Sequence, residues 1–317
     1  MDGFLSLLKP RGVTSHDVVY LARRFLGEDR LGHLGTLDPL AVGVLPVACG
    51  AYRRLAEYFL GEDKRYFAQF TFGIRTDTGD TDGRVVEEAD ASGVTPEKVR
   101  EVLRRYVGNI MQVPPAYSAL KVKGRKMVDL ARRGIDPERE AREVQVREFS
   151  LSGFIPGERP KGLFSLRVGR GTYVRGLAFS LGEELRCGAT VSYLLRERAG
   201  KFLLKDSLTM ASLKRLCREG RAEQALCAPL AVLPDFPLFG LLPQAVRKVC
   251  HGVALERGDL SAPAGSTLSP AFSLGPFPFR AVALRGRSDS LDGQEIAAVV
   301  LVRGPDSFDY EKVMIAE

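Results

Sequence analysis

With 317 residues, 45% of them hydrophobic and 27% charged, the chain has the length for one large domain and a smaller one, and the composition of a globular protein. No stretch approaches the roughly 18 apolar residues of a membrane span, and Asp2 stands where a secretory leader would carry basic residues, so a cytoplasmic protein is expected. Five widely spaced cysteines without Cys-x-x-Cys, and three histidines without His-x-x-x-His, argue against a disulfide framework or a zinc site, while a net charge of +7 is compatible with a polyanionic partner.

Thr14-Ser15-His16-Asp17 has the pattern of a capping box, and Val18, Leu21, Ala22 and Phe25 follow at helical spacing, which predicts a helix over Ser15–Leu26. Residues 32–50 are punctuated by glycines at 32, 35, 43 and 50 and by Pro39 and Pro46. They read as a shaped loop with a short element around 40–47. Residues 64–72 alternate, with Tyr66, Ala68, Phe70 and Phe72 on one side, and predict a strand. Thr95 and Pro96 suit the start of a helix whose face carries Val99, Val102, Leu103 and Tyr106 before Gly108 stops it.

Between residues 117 and 133 lie Lys121, Lys123, Arg125, Lys126, Arg132 and Arg133 against a single acid, Asp129. Such a run is either a solvated loop or a basic arm laid against phosphates. Residues 144–149 and 163–168 read as strands, and 173–186 as a helix ending near Gly188. Beyond about Pro234, dense prolines and short apolar stretches (281–284, 296–302) predict a small β-rich C-terminal domain. Strands and helices without regular βαβ alternation make the fold class α+β.

Taken alone, Asp38 is weak evidence, because Leu-Asp-Pro is a common turn sequence. No Ser-His-Asp order is convincing, no Gly-x-x-x-x-Gly-Lys-Ser/Thr loop is present, and Gly32-His33-Leu34-Gly35 is too short for a dinucleotide fingerprint. The residues by themselves describe a cofactor-free protein with a glycine-bracketed loop and a basic arm.

Several segments, in order, resemble the bacterial tRNA pseudouridine-55 synthase family, the TruB type. They include Lys9-Pro10-Arg11-Gly12-Val13-Thr14-Ser15-His16-Asp17, Gly32-His33-Leu34-Gly35-Thr36-Leu37-Asp38-Pro39-Leu40-Ala41, Asp63-Lys64-Arg65-Tyr66 and Thr76-Asp77-Thr78-Gly79-Asp80. Val113-Pro114-Pro115-Ala116-Tyr117-Ser118-Ala119-Leu120-Lys121, Gly171-Thr172-Tyr173-Val174-Arg175 and Leu185-Arg186-Cys187-Gly188-Ala189-Thr190 complete the set. The resemblance implies a pseudouridine synthase fold, a mixed and mainly antiparallel sheet flanked by helices. It also implies a catalytic domain over 1–235, with its RNA-binding arm at about 117–143, and a small PUA-like domain over 236–317 that contacts RNA.

For chemistry, the resemblance implies isomerisation of uridine 55 in the T loop of tRNA by a monomer needing neither cofactor nor metal. Asp38 takes the place of the catalytic carboxylate, Arg175 of its partner, and Tyr66 of the tyrosine that stacks on uracil and takes the C5 proton. Tyr173 and Leu194 match positions lining the base pocket. His33 matches the histidine that fills the space left by the flipped base, and Lys121 and Lys123 belong to the arm. Lys9-Pro10 would support the loop. Departures are Gly50-Ala51-Tyr52-Arg53 where a threonine–lysine pair is usual, Val128 for a tyrosine, Val168-Gly169 for Cys-Ser, and Gly176 for a hydroxyl residue. A guide-RNA-dependent synthase and a non-enzymatic tRNA-binding protein are the alternatives, and the carbon that Asp38 attacks stays open.

Overall fold

The computed structural model describes residues 1–118, 120–122, 124–131, 133–135, 139–261, 278–286, 294–304 and 307–314. In chain order the elements begin with β1 (Gly3–Lys9), α1 (Ser15–Leu26), β2 (Leu31–His33), β3 (Val42–Cys49), α2 (Ala56–Leu60) and β4 (Lys64–Phe72). Next come β5 (Ile74–Thr76), β6 (Val85–Glu88), α3 (Pro96–Leu103), β7 (Gly108–Gln112), β8 (Lys121–Val122), β9 (Arg125–Lys126) and α4 (Met127–Ala131). Then follow β10 (Arg142–Ile155), β11 (Lys161–Val168), α5 (Val174–Glu184), β12 (Ala189–Ala199), β13 (Phe202–Leu203), α6 (Met210–Arg218) and α7 (Pro229–Val232). The C-terminal region holds β14 (Leu238–Leu241), α8 (Pro243–Cys250), β15 (Leu260–Ser261), β16 (Phe279–Gly286), β17 (Gln294–Gly304) and β18 (Ser307–Val313).

Nine strands form one sheet in the order β1-β3-β12-β4-β11-β10-β7, with β2 beside β3 and β13 beside β12. Within it β12 and β3 run parallel and the other pairs antiparallel, so the sheet is mixed and mainly antiparallel. The alternation of β4 sends Ala68, Phe70 and Phe72 into a core shared with Phe149, Phe164, Leu166 and the apolar faces of α3 and α5. Another core joins α1 and α6 to β1 and β3 through Val18, Val19, Ala22, Leu5, Leu7, Leu45 and Leu213. The α1 capping box forms as its sequence predicts. Thr14 Oγ1 accepts from the Asp17 N–H at 3.1 Å, and the Asp17 carboxylate accepts from the Thr14 N–H at 2.8 Å.

The C-terminal strands form a five-stranded sheet, β15-β14-β16-β17-β18. It is fastened to the large sheet by apolar contact among Phe4, Phe59, Phe202, Val282, Leu284 and Val299. Polar links add to this contact: the Tyr58 hydroxyl donates to Glu311 at 2.9 Å, Arg54 donates to the Val313 carbonyl at 2.8 Å, and Lys312 pairs with Glu57 at 2.8 Å. The molecule is α+β.

The structure corrects the sequence reading in particular places. The short element read at 40–47 inside the glycine- and proline-punctuated loop is an eight-residue strand, residues 42–49. Seven of those residues are buried, and a strand buried on both faces reads as a continuous apolar run rather than an alternation. Pro46 loses one ladder donor, but its carbonyl still accepts from the Leu34 N–H at 2.8 Å. The strand read at 144–149 is the middle of the 14-residue β10. The helix read over 173–186 ends at Glu184, with Tyr173 as its N-cap residue.

Candidate active site

Asp38 sits between Leu37 on one side and Leu40 and Ala41 on the other, all buried in the main core, so the loop is nailed down around it while its own side chain is one-third exposed. Three buried side chains from three elements hold the backbone of this loop. Lys9, at the end of β1 and fully buried, donates from Nζ to the carbonyls of Pro10 at 2.8 Å, Val13 at 2.7 Å and Pro39 at 3.2 Å. Ser15, the first residue of α1, donates from Oγ to Leu37 O at 3.1 Å and accepts from Leu37 N at 2.8 Å.

Arg196, on β12 and 1% exposed, donates to Val44 O at 2.7 Å and to the carbonyls of Thr36 and Gly35 at 3.2 Å each. Gly43 makes this approach possible, since a Cβ there would lie 2.3 Å from the Arg196 carbonyl oxygen, and its φ of +113° favours glycine in any case.

Arg175, in the first turn of α5 and 5% exposed, brings Nε to 2.9 Å from Asp38 Oδ2. That N–H is not aimed along the line between them, so the contact is an ion pair rather than an in-line hydrogen bond. The guanidinium is fixed by two other bonds, from Nη1 to Thr78 O at 2.7 Å and from Nη2 to Tyr117 O at 2.9 Å. A second carboxylate, buried Asp80, lies 3.7 Å from Arg175 Nε and is itself bonded by Thr78 Oγ1 at 2.7 Å and Asp82 N at 3.2 Å. One buried cation is therefore shared by two carboxylates, and its bonds to the Thr78 and Tyr117 carbonyls fix its place.

Asp38 lines two hollows. The first, of about 490 Å³, is walled by Tyr66, Tyr173, Leu194, Lys64 and Arg196. The second, of about 580 Å³, is walled by His33, His16, Thr36, Tyr117, Asp80 and Arg175. Both lie within the range of about 300–1,000 Å³ common for small-molecule sites. A separate polar cleft of about 390 Å³, lined by Asp63, Glu143, Arg147 and Arg170, contains neither Asp38 nor Arg175.

Burial raises the pKa of the Tyr173 phenol, an effect that a bond with Ser118 opposes and the Asp38 charge reinforces. Burial holds Lys9 and Lys64 down at about 8. It also lowers His33, with the Arg196 charge adding to the effect, and leaves His33 Nδ1 without a hydrogen-bond partner among the described residues. At neutral pH this histidine is an uncharged ring, suited to stacking.

Asp38, Tyr66, Tyr173 and Leu194, far apart in the chain, thus meet around one cavity, while Arg175, paired with Asp38, and His33 line the adjoining hollow. Lys121 lies on β8, paired in register with Lys126 on β9, while Lys123 lies outside the described residues. Reading the sequence missed Arg196, Ser15 as a loop anchor, and Asp80, which stood out only as part of a motif. The signal that could have found Arg196 was a charge inside an apolar segment, visible only once 189–199 is taken as a strand. Among the described residues, no group of three or more His, Cys, Asp or Glu could hold a metal ion, and no helix is long and apolar enough to cross a membrane.

A mixed, mainly antiparallel sheet with an arginine-paired carboxylate beside two hollows is the arrangement that the resemblance to pseudouridine synthases implies. The family model described as TruB family pseudouridylate synthase (N terminal domain) matches residues 23–174. The chain is 48% identical over 254 residues to tRNA pseudouridine synthase B of Symbiobacterium thermophilum, covering 80% of this chain and 83% of that one. With the protein of the same name from Synechocystis sp. it shares 39% over 284 residues, covering 90% and 94%. Among solved structures, a Cbf5-Nop10-Gar1 complex superposes with a TM-score of 0.71 at 25% identity, covering 99% of this chain and 85% of that one. The chain belongs to the TruB family of pseudouridylate synthases.

Proposed function

We propose that this protein isomerises uridine 55 in the T loop of tRNA to pseudouridine, with Asp38 as the nucleophile on a flipped-out uridine. The observation that carries the reading is the Asp38 carboxylate at the junction of two hollows, 2.9 Å from the buried Arg175 guanidinium. The reaction breaks the N1–C1′ bond, turns the uracil and forms a C5–C1′ bond. C5 loses a proton and N1 gains one, so no electrons are exchanged with a partner. A carboxylate suits such chemistry because it can add to an electrophilic carbon and later leave. Arg175 pairs with its charge and orients it.

Tyr66 lies on the cavity wall where it can stack on the uracil and take the C5 proton, with Tyr173 and Leu194 lining the same space. His33, uncharged, would fill the gap left by the extruded base, which base-modifying enzymes must compensate. Lys121 and Lys123 would meet the phosphates of the T arm. We assign catalysis to residues 1–235 and RNA contact to a PUA-like unit over 236–317, in a cytoplasmic monomer. The two bacterial relatives are named for tRNA, and this chain spans 83% and 94% of their lengths, which favours tRNA over a guide-dependent target.

Tritium release from tRNA carrying 5-tritiated uridine, with pseudouridine mapping, tests the proposal on the purified protein and a bare transcript. Wild type should release tritium and modify position 55 alone. Asp38→Asn should release none while binding tRNA within a few-fold of wild type, because the carboxylate serves the chemical step. Equal, negligible release by both proteins with intact binding would make this a tRNA-binding protein. A large loss of affinity in the variant would remove Asp38 from a purely chemical role.

A further inference from the structure

We infer that Gln112 is a positioning residue for the uridine pocket, locking the backbone of Tyr173 and thereby the placement of the pocket phenol and of Arg175. The inference rests on the proposed function only for its kinetic readout. Tyr173 is the N-cap residue of α5, with extended backbone (φ −104°, ψ 117°) and no side-chain cap. Its N–H precedes the helix ladder and needs another acceptor.

Gln112, the last residue of β7 and 6% exposed, supplies one. Its Oε1 accepts from Tyr173 N at 2.8 Å, and its Nε2 donates to Tyr173 O at 3.0 Å. A single carboxamide thus gives Tyr173 the donor and acceptor that an adjacent strand would give. At neutral pH, where a free carboxyl group is ionised, only Gln and Asn carry both groups on one planar end, and Asn is a methylene shorter. The lock also needs room beside α5. At Gly176 a Cβ would lie 2.8 Å from Gln112 Nε2 and 3.0 Å from Cδ, so the missing side chain leaves the amide its place.

The segment just beyond Gln112 touches the same two residues. The Tyr117 carbonyl accepts from Arg175 Nη2 at 2.9 Å, and Ser118 hydrogen-bonds the Tyr173 side chain. The root of the basic arm is thereby part of the pocket wall, and Gln112 is the contact that fixes backbone rather than a side-chain tip.

The experiment compares Gln112→Met, which fills the space without hydrogen-bonding, with Gln112→Glu, which keeps the shape. An ionised glutamate still accepts from the Tyr173 N–H but sets its second oxygen against the Tyr173 carbonyl, whereas a protonated one restores the donor. At neutral pH both variants should turn over tRNA about tenfold or more slowly, the loss expected for a buried group left unpaired. Affinity for tRNA should stay within about twofold, since the proposal gives Gln112 no contact with RNA. Lowering the pH should bring Gln112→Glu back toward wild type and leave Gln112→Met low.

Hydrogen exchange at the Tyr173 amide in the free protein reads the lock without activity, with protection expected in wild type and lost in Gln112→Met. Wild-type turnover in Gln112→Met with the amide still protected overturns the inference. So does an equal loss in both variants without recovery at low pH. If wild type proves inactive on tRNA while exchange responds as expected, the proposed function falls and the lock stands.

Discussion

The loop that carries Asp38 and the arm that carries Lys121 and Lys123 both join strands of the large sheet, but they are secured in opposite ways. Side chains reaching in from β1, α1 and β12 grip the loop, two of them buried cations bonded to carbonyl oxygens. Burying a cation costs desolvation energy, which is recovered only where several acceptors converge on it. Among the described residues the arm is held mostly by its own local bonds, such as Met127 N to Leu120 O and Val128 N to Ser118 O, with Met127 as its buried anchor. A reacting carboxylate loses rate when displaced by a fraction of an ångström. A lysine facing phosphates keeps its attraction over several ångströms. The contrast is between rigid chemistry and tolerant capture.

Breaking the grip on the loop should have the largest effect. Arg196→Lys keeps the charge but loses the planar fork, so some of the carbonyls at 35, 36 and 44 go unpaired. Turnover should fall roughly a hundredfold, with unfolding free energy lower by about 1–3 kcal/mol. Single-turnover kinetics and urea melts read the two effects separately, and a variant matching wild type in both would mean that Arg196 does not hold the loop. Reversing charge at Lys121 and Lys123 should weaken tRNA binding about tenfold at low salt and lower the slope of log affinity against log salt by about two. An unchanged slope would take the arm out of the interface.

The smallest effect is a pH dependence. Lys9 releases its proton at about 8 in the native protein, against 10.5 ordinarily. Between those values the unfolded chain binds a proton that the native state does not, so the burial penalty fades and stability gains with rising pH. Replacing Lys9 by Met should remove its contribution to the profile in denaturant titrations, while Lys64, held down to the same value, keeps its own. A profile identical to wild type would show that Lys9 titrates as an ordinary lysine.

The elements read correctly from sequence are those whose signals are local. Thr14 and Asp17 cap α1 by reaching three residues along the chain, and the alternation from Lys64 to Phe72 marks β4 end to end. β3 was read only as a short element of no stated type, and β12 was missed, because their identity depends on neighbours. Pro46 is tolerated since burial on both faces outweighs one missing donor, and Gly43 is there to admit the Arg196 backbone. Asp38, Tyr66 and Arg175 stood out through the motifs around them, whereas Arg196 and Gln112 lie outside every motif and Asp80 was only one member of one. Their partners lie across the sheet or across a helix terminus, more than 20 residues away for the Arg196 and Gln112 bonds.

The amino-acid sequence by itself determined the capped helix, the alternating strand, the basic run and the motifs that place the chain among pseudouridylate synthases, because each is written in residues close along the chain. Only the tertiary structure decided which buried side chains grip the Asp38 loop, which carboxylates share Arg175, and how Gln112 meets Tyr173. Those contacts join segments brought together by packing, and a hydrogen bond between distant residues leaves no periodicity in the chain that makes it.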